Sequence, residues 1–445
     1  MGNPDPNEVP LARRLGLFDA TMIVMGGIIG AGIFVNPAVV ARSVHTPLLV
    51  LGAWLIGGMI ALIGAFVYAE LAALRPRVGG QYAYLRDAYH PVVAFLYGWT
   101  LLLVVQTGGM AGAAIIFGRY FCELSGLSIS EQVIATLALA ILTAINCLGV
   151  RAGSNAQSAL MLIKLVAIAL LIGVGCFGPI KNNPAGVELP IDSGGFAGLA
   201  RAMVPVLFAY GGWQTASFVS GEMRNPRRDL PRGLLIGVIG VIVCYVLVSY
   251  SCVRVLGVPD LARTSVPASE VMRYAFGERG AQVIAAGIAI STLGFLSQSI
   301  LTAPRVYYAM ARDGVFFKGV GYLNPKTRVP MVAIVLQGIC AAVIAFTGKY
   351  DQILNYVVAI DVLFFGLTGA SLLIFRAQLP KESEEHLRVP WHPVTTSVFV
   401  LACWAISIST VIQFPRNAGI GFGILAVGAL VYPLWRSRAQ GQSTP

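Results

Sequence analysis

The chain has 445 residues, 57% of them hydrophobic and only 11% charged, with a mean hydropathy of +0.76. Soluble domains carry about 25% charged residues, so the composition excludes a soluble globular fold and describes a polytopic membrane protein. The formal net charge of +11 invites a nucleic-acid partner, an option that the placement of the charges removes.

Residues 1–10 are polar, acidic and Pro-rich, without the basic-then-apolar order of a signal peptide, so none is expected. Apolar runs long enough to cross a bilayer follow at approximately 20–42, 48–73, 92–117, 132–150, 156–178, 197–221, 233–256, 281–310, 330–347, 352–375, 394–413 and 418–435. Connections are short and both tails are too small to fold alone, so one transmembrane domain over 1–445 is expected. With a cytoplasmic N-terminus and alternating spans, twenty of the 31 Lys and Arg fall inside, among them Arg75, Arg86, Arg232, Arg312 and Arg376. Ten fall outside, among them Arg42, Arg119, Arg263, Arg273 and Lys349, and Lys164 falls within a span. That twofold bias is the positive-inside rule. It assigns the basic charge to topology and the lipid surface, not to nucleic acid, and places both termini in the cytoplasm.

The first span contains Gly26-Gly27-Ile28-Ile29-Gly30-Ala31-Gly32. Each glycine costs a helix about 1 kcal/mol relative to Ala, and unwound backbone in hydrocarbon survives only when packed against protein or lining a cavity. Such a break frees amide N–H groups at a new N-terminus and carbonyls at a new C-terminus, which together suit a zwitterion. Gly26 and Gly30 are also a small-xxx-small pair, which reads as close helix packing. A second interruption, Phe208-Ala209-Tyr210-Gly211-Gly212-Trp213, sits at the centre of the sixth span, five spans later. Two broken helices at corresponding positions are the pattern of a five-plus-five inverted repeat with a site near the midplane. The Pro-rich, charged connections at 75–84 and 222–232 read as turns at a membrane face.

Seven cysteines without metal-type spacing read as buried structural thiols, with Cys122 the one exposed thiol, and four scattered histidines complete no metal site. No cofactor is expected. With no nucleophile beside a base and no paired intramembrane carboxylates, a membrane-embedded enzyme is not indicated. A gated central site between half-helices favours a carrier over a channel.

These residues resemble the amino acid–polyamine–organocation superfamily, and within it the L-type amino acid transporter (light-chain) family. The carrying motifs are Gly27-Ile28-Ile29-Gly30-Ala31-Gly32-Ile33-Phe34, Gly79-Gly80-Gln81-Tyr82, the 208–213 stretch, Asn225-Pro226-Arg227-Arg228-Asp229-Leu230-Pro231-Arg232 and Ala311-Arg312-Asp313-Gly314. The resemblance implies an all-α leucine-transporter fold of twelve helices. Its repeats would cover about 17–180 and 195–376, with extra helices at about 394–436. It also implies sodium-independent exchange of neutral L-amino acids across the plasma membrane. By the same resemblance the substrate carboxylate meets the amides of Gly30, Ala31 and Gly32. The ammonium meets carbonyls near Ile28 and around Phe208, Ala209 and Gly211, Phe208 is the gate, and Gln214 varies with side-chain specificity. Where the family often has Ser between the glycines, this chain has Ala31, which keeps the amide and loses a hydroxyl. In animal members a cysteine beyond the third span joins a partner chain; Cys122 lies too close to a helix end for that role, so no obligatory partner subunit is expected.

Lys164 interrupts an apolar run near the middle of the fifth span, at an insertion cost of about 2.5–3.5 kcal/mol, and snorkelling is the alternative to a functional role. The resemblance places this lysine beside the first break, where sodium-coupled relatives bind a cation, with Ser291 and Thr292 as weaker partners. A fixed ammonium explains sodium independence; an amine that loads and releases a proton would instead make a proton-coupled symporter of amino acids or amines. Asp361 reads as structural. Tyr210, Trp213 and Gln106 read as interhelical packing, and Glu70 as solvated or paired with a nearby arginine.

Overall fold

A computed structural model describes residues 15–75, 79–148, 153–179, 195–218, 220, 223–324, 329–378 and 387–440, the side chains at 153–160, 195–196 and 436–440 excepted. Pro76, Arg77, Val78 and Glu222 of the two charged connections lie outside the described residues.

The helices in chain order are α1 (Leu17–Ile28), α2 (Gly32–Ser43), α3 (Pro47–Leu74), α4 (Gln81–Ala88), α5 (Pro91–Thr100), α6 (Gln106–Ser125), α7 (Glu131–Cys147), α8 (Gly153–Phe177), α9 (Gly195–Tyr210), α10 (Thr215–Phe218), α11 (Pro226–Arg263), α12 (Pro267–Thr302), α13 (Pro304–Arg312), α14 (Met331–Thr347), α15 (Tyr350–Gln378), α16 (Val394–Gln413) and α17 (Pro415–Gln440). Among the described residues, seven helices are long and apolar enough to cross a membrane, and eight if the bent pair α1–α2 is one span. Three shorter apolar helices, Glu131–Cys147, Met161–Phe177 and Met331–Thr347, join them.

Proline opens α3, α5, α11, α12 and α13. At the first turn its missing N–H costs nothing, because that donor has no helical partner in any residue. This corrects the reading of 222–232 as a turn. From Pro226 onward the segment is helical, with Asp229 N–H donating to the Asn225 carbonyl (2.8 Å). The eighth span likewise differs from expectation. It starts at Pro267, is kinked at Gly277, and passes through Ala303 into the separate helix α13.

The centre of the bundle is the two broken helices. α2 lies on α9, with Gly32 facing Ala209, and α1 lies on α10, with Gly27 facing Thr215. α3 and α11 pack tightly together behind them. There Trp54 meets Tyr210 and Tyr245 edge-on at 5.8 and 5.6 Å, and Tyr210 Oη–H donates to the Trp54 carbonyl (3.1 Å). The turn before α4 is held close by glycine: Gly80 has φ +47°, and a Cβ there would meet Ser217 of α10.

The charges sort to two ends. At one, Arg42 donates to the carbonyls of Ala262 and Thr264 (2.8 and 2.9 Å), Arg119 pairs with Glu131 (3.3 Å) and Arg273 with Glu123 (3.0 Å). At the other, Arg86 pairs with Asp313 (2.7 Å), and Arg376 holds both oxygens of Glu70 (2.5 and 2.7 Å). Glu70 is fully buried and also accepts from Val389 N–H (2.6 Å), so it is paired and not solvated. The cysteine expectation needs correction too. All seven are free thiols, but only Cys252 and Cys403 are buried; the other five are partly exposed.

Candidate functional site

The first break spans Ile29 to Ala31: α1 ends at Ile28, α2 starts at Gly32, and the two axes differ by 42°. The second runs from Gly211 to Gln214, between α9 and α10. They touch backbone to backbone. Gly212 has φ +109°, a region that side chains avoid, and a Cβ on it would strike the carbonyl oxygen of Gly27. Only glycine allows that approach.

A cavity opens between the breaks. Its wall includes Ile28, Gly30, Ala31, Gly32, Phe208, Ala209, Gly211 and Gln214 together, the eight positions expected to meet substrate. The available polar groups differ from expectation in detail. Gly30 N–H already donates to the Ile28 carbonyl (2.7 Å), whereas Ala31 and Gly32 head α2, where the first amides of a helix lack intrahelical acceptors. Tyr245 Oη–H lies within reach of the carbonyls of Ile28 (2.9 Å) and Ala209 (3.1 Å), tying the two breaks to α11. The Phe208 carbonyl accepts from Gly211 N–H (3.3 Å). Gln214 turns its Oε1 back to accept from Gly212 N–H (3.0 Å), and so braces the second break.

Lys164 of α8 is 3% exposed, and its ammonium donates to the carbonyl of Ile29 inside the first break. It does not snorkel. Thr292 spends its hydroxyl on Ile288 of its own helix (2.8 Å), and the buried Ser291 Oγ has no partner among the described residues. Neither bonds Lys164.

Phe208 stands edge-on to Tyr350 at 6.1 Å. Tyr350 Oη–H donates to Asn36 Oδ1 (2.8 Å), and Asn36 Nδ2–H donates to the Pro205 carbonyl (2.7 Å). This aromatic and amide plug covers the cavity on the side of Arg42 and Arg119. Beyond it lies a second hollow, lined by Arg42, Arg119, Glu131, Lys349 and Asp351.

The cavity also takes in residues that the sequence does not point to. Gln106 reads as packing, but the helix from α5 to α6 passes through a π-turn at Leu101–Val105 that sets Val105, Gln106 and Gly109 on the cavity wall; such turns often mark functional sites. Asp361, which reads as structural, lines the cavity from α15, as do Gln298 and Phe295 from α12. The signal for Asp361 is an acid in an apolar span; nothing local distinguishes Gln106. Tyr210 and Trp213 do belong to the packing, Trp213 against Phe365 at 4.7 Å.

A helical membrane bundle with a hollow between two broken helices, lined by both backbone polar groups and apolar side chains and plugged at one end, has the architecture of a carrier. The chain belongs to the amino acid permease family, whose profile matches residues 15–432, and thus to the amino acid–polyamine–organocation superfamily. It is 30% identical over 404 residues to b(0,+)-type amino acid transporter 1 of Homo sapiens, covering 87% of this chain and 80% of that one. It is similar also to large neutral amino acids transporter small subunit 2 of Homo sapiens (29% over 446 residues, 95% and 80%). Serine/threonine exchanger SteT of Bacillus subtilis is 28% identical over 429 residues, 95% and 96% of the two chains. The protein is therefore an integral multi-pass membrane protein that transports amino acids, and not an enzyme.

Proposed function

We propose that the chain is a sodium-independent, alternating-access exchanger of neutral L-amino acids in the plasma membrane. It would have twelve spans in the leucine-transporter fold, both termini in the cytoplasm, and no obligatory partner subunit. The observation that carries this reading is the bond from the Lys164 ammonium to the Ile29 carbonyl. A covalently held cation occupies the broken backbone, where a dissociable ion would otherwise be needed to satisfy exposed carbonyls. In this reading the substrate carboxylate sits on the amides of Ala31 and Gly32, favoured by the positive end of α2. The α-ammonium faces backbone around Ile28, Phe208, Ala209 and Gly211. Phe208 and Tyr350 close the outer side. Two of the relatives support the class: a large neutral amino acids transporter subunit and a serine/threonine exchanger.

The test is counterflow of radiolabelled amino acids in proteoliposomes, with and without sodium and a pH gradient. Uptake that needs amino acid on the far side and ignores sodium is the expected result. Uptake driven by an imposed proton gradient into empty vesicles would show a symporter instead.

A further inference from the structure

The start of α11 has no part in the site just described, yet Arg224, Arg227, Arg228 and Arg232 fall there within nine positions. All four are exposed, and no acid pairs with any of them among the described residues. Asp229, the acid between them, is turned inward and only 8% exposed. Positive charges at the first turns of a helix oppose the backbone dipole, so these arginines do not serve the stability of α11. The spacing shows which way two of them face. Arg228, Arg232, Ile236, Ile239 and Val243 recur every three or four residues, the period of one helix face, and all five are exposed. The three apolar side chains are the part of that face that meets hydrocarbon. At 1.5 Å per residue, Arg232 and Arg228 then stand about 6 and 12 Å beyond Ile236, at the depth of phospholipid headgroups. A neighbouring face of α11 is taken by α1: a Cβ on Gly233 would meet Ala20, and one on Gly237 would meet Val24, each at 2.7 Å. The same segment holds the foot of α1 through the main chain, Arg224 N–H donating to the Leu15 carbonyl (2.9 Å).

We infer that this arginine patch binds the phosphate groups of anionic phospholipids in the adjoining leaflet, and that the contact sets the rate of exchange through α1. A run of basic residues beside a transmembrane helix draws anionic headgroups by charge, and guanidinium forks match phosphate oxygens in geometry. Bound headgroups cancel the repulsion among four like charges and anchor Arg224. Leu15 is then held, so the start of α1 stays fixed while its cut end at Ile29 moves. Exchange is therefore faster in an anionic bilayer. The effect on rate rests on the exchanger reading; the binding does not.

The experiment uses the full chain as wild type, as the pair Arg228→Gln with Arg232→Gln, and as the pair Arg228→Lys with Arg232→Lys. Arg416→Gln removes an exposed charge elsewhere, as a control. Phosphatidylglycerol or phosphatidylcholine is titrated onto the detergent-solubilised protein with the melting temperature as readout, and leucine counterflow is measured in vesicles with and without phosphatidylglycerol. The wild type should be stabilised by phosphatidylglycerol over phosphatidylcholine and exchange faster in its presence. The Gln pair should move the titration midpoint up about thirtyfold, roughly fivefold for each charge lost. The Lys pair should lose less, and Arg416→Gln should match the wild type. Equal response of the wild type to the two lipids, or an unchanged midpoint in the Gln pair, would overturn the proposal. Stabilisation by soluble glycerol phosphate as strong as by the lipid would overturn it too, by making the patch a free-anion site. Selective binding with a rate indifferent to lipid would overturn the link to α1. Absence of leucine counterflow in every vesicle would instead defeat the exchanger reading and leave the titration to decide the binding.

Discussion

The Lys164 ammonium on α8 donates to the carbonyl of Ile29, the first residue beyond the end of α1, across 135 positions of sequence. This bond fixes the cut end of α1 to a neighbouring helix and puts a covalently held amine at the first break, beside the central cavity. Replacing Lys164 with Ala leaves that carbonyl buried and unpaired, a loss of about 1–3 kcal/mol. We expect Lys164→Ala to remain folded but to lose or uncouple exchange, as read by counterflow beside thermal unfolding in detergent. Wild-type rates in that variant would remove the lysine from the mechanism.

Gly212 makes a second sharp prediction. Its φ of +109° costs any side chain about 1–3 kcal/mol, and its Cβ would collide with the Gly27 carbonyl. Gly212→Ala should therefore lower the melting temperature and abolish uptake. Gly109, on the same cavity, is the contrast, because a methyl group added there would meet nothing within 4 Å. Gly109→Ala should not destabilise the fold, while uptake of bulkier side chains falls relative to small ones.

At the other end, Glu70 is fully buried beneath Arg376, which keeps 23% of its side-chain surface in solvent. Breaking such a pair leaves an uncompensated charge, at about 3 kcal/mol for a partly solvated partner. Glu70→Gln should lower the thermal midpoint clearly; a change within error would make this pair a surface contact.

His392, in the connection between α15 and α16, has its pKa pushed below the usual histidine value by burial and by the Arg376 charge. Because the unfolded chain then binds the proton more readily, stability is full above about pH 6.5 and falls as the pH drops through that value. The melting temperature of the wild type should decline below this point more steeply than that of His392→Gln. Identical pH profiles would contradict it.

Local chemistry made much of this molecule legible in the chain. Clustered glycines and a lysine inside apolar runs are unfavourable in hydrocarbon, so 26–32, 211–212 and 164 stand out in the chain, and the recurrence of the two glycine clusters five spans apart points to breaks more than to close packing. The starts of helices were less legible: Pro226 lies in a segment that reads as a turn until its position at a first turn is known, and the helix that opens at Pro267 begins well before the apolar run expected at 281–310.

What tertiary structure alone decided is which groups face one another. Glu70 meets Arg376 across 306 positions, Tyr245 reaches carbonyls near the ends of two different half-helices, α1 and α9, and a π-turn brings Gln106 to the cavity wall. Asp361 becomes a cavity acid only because α15 turns that face toward Gly211. The apolar pattern of a buried span is nearly uniform around the helix, so it records that the helix crosses the membrane and leaves its rotation to be set by its neighbours.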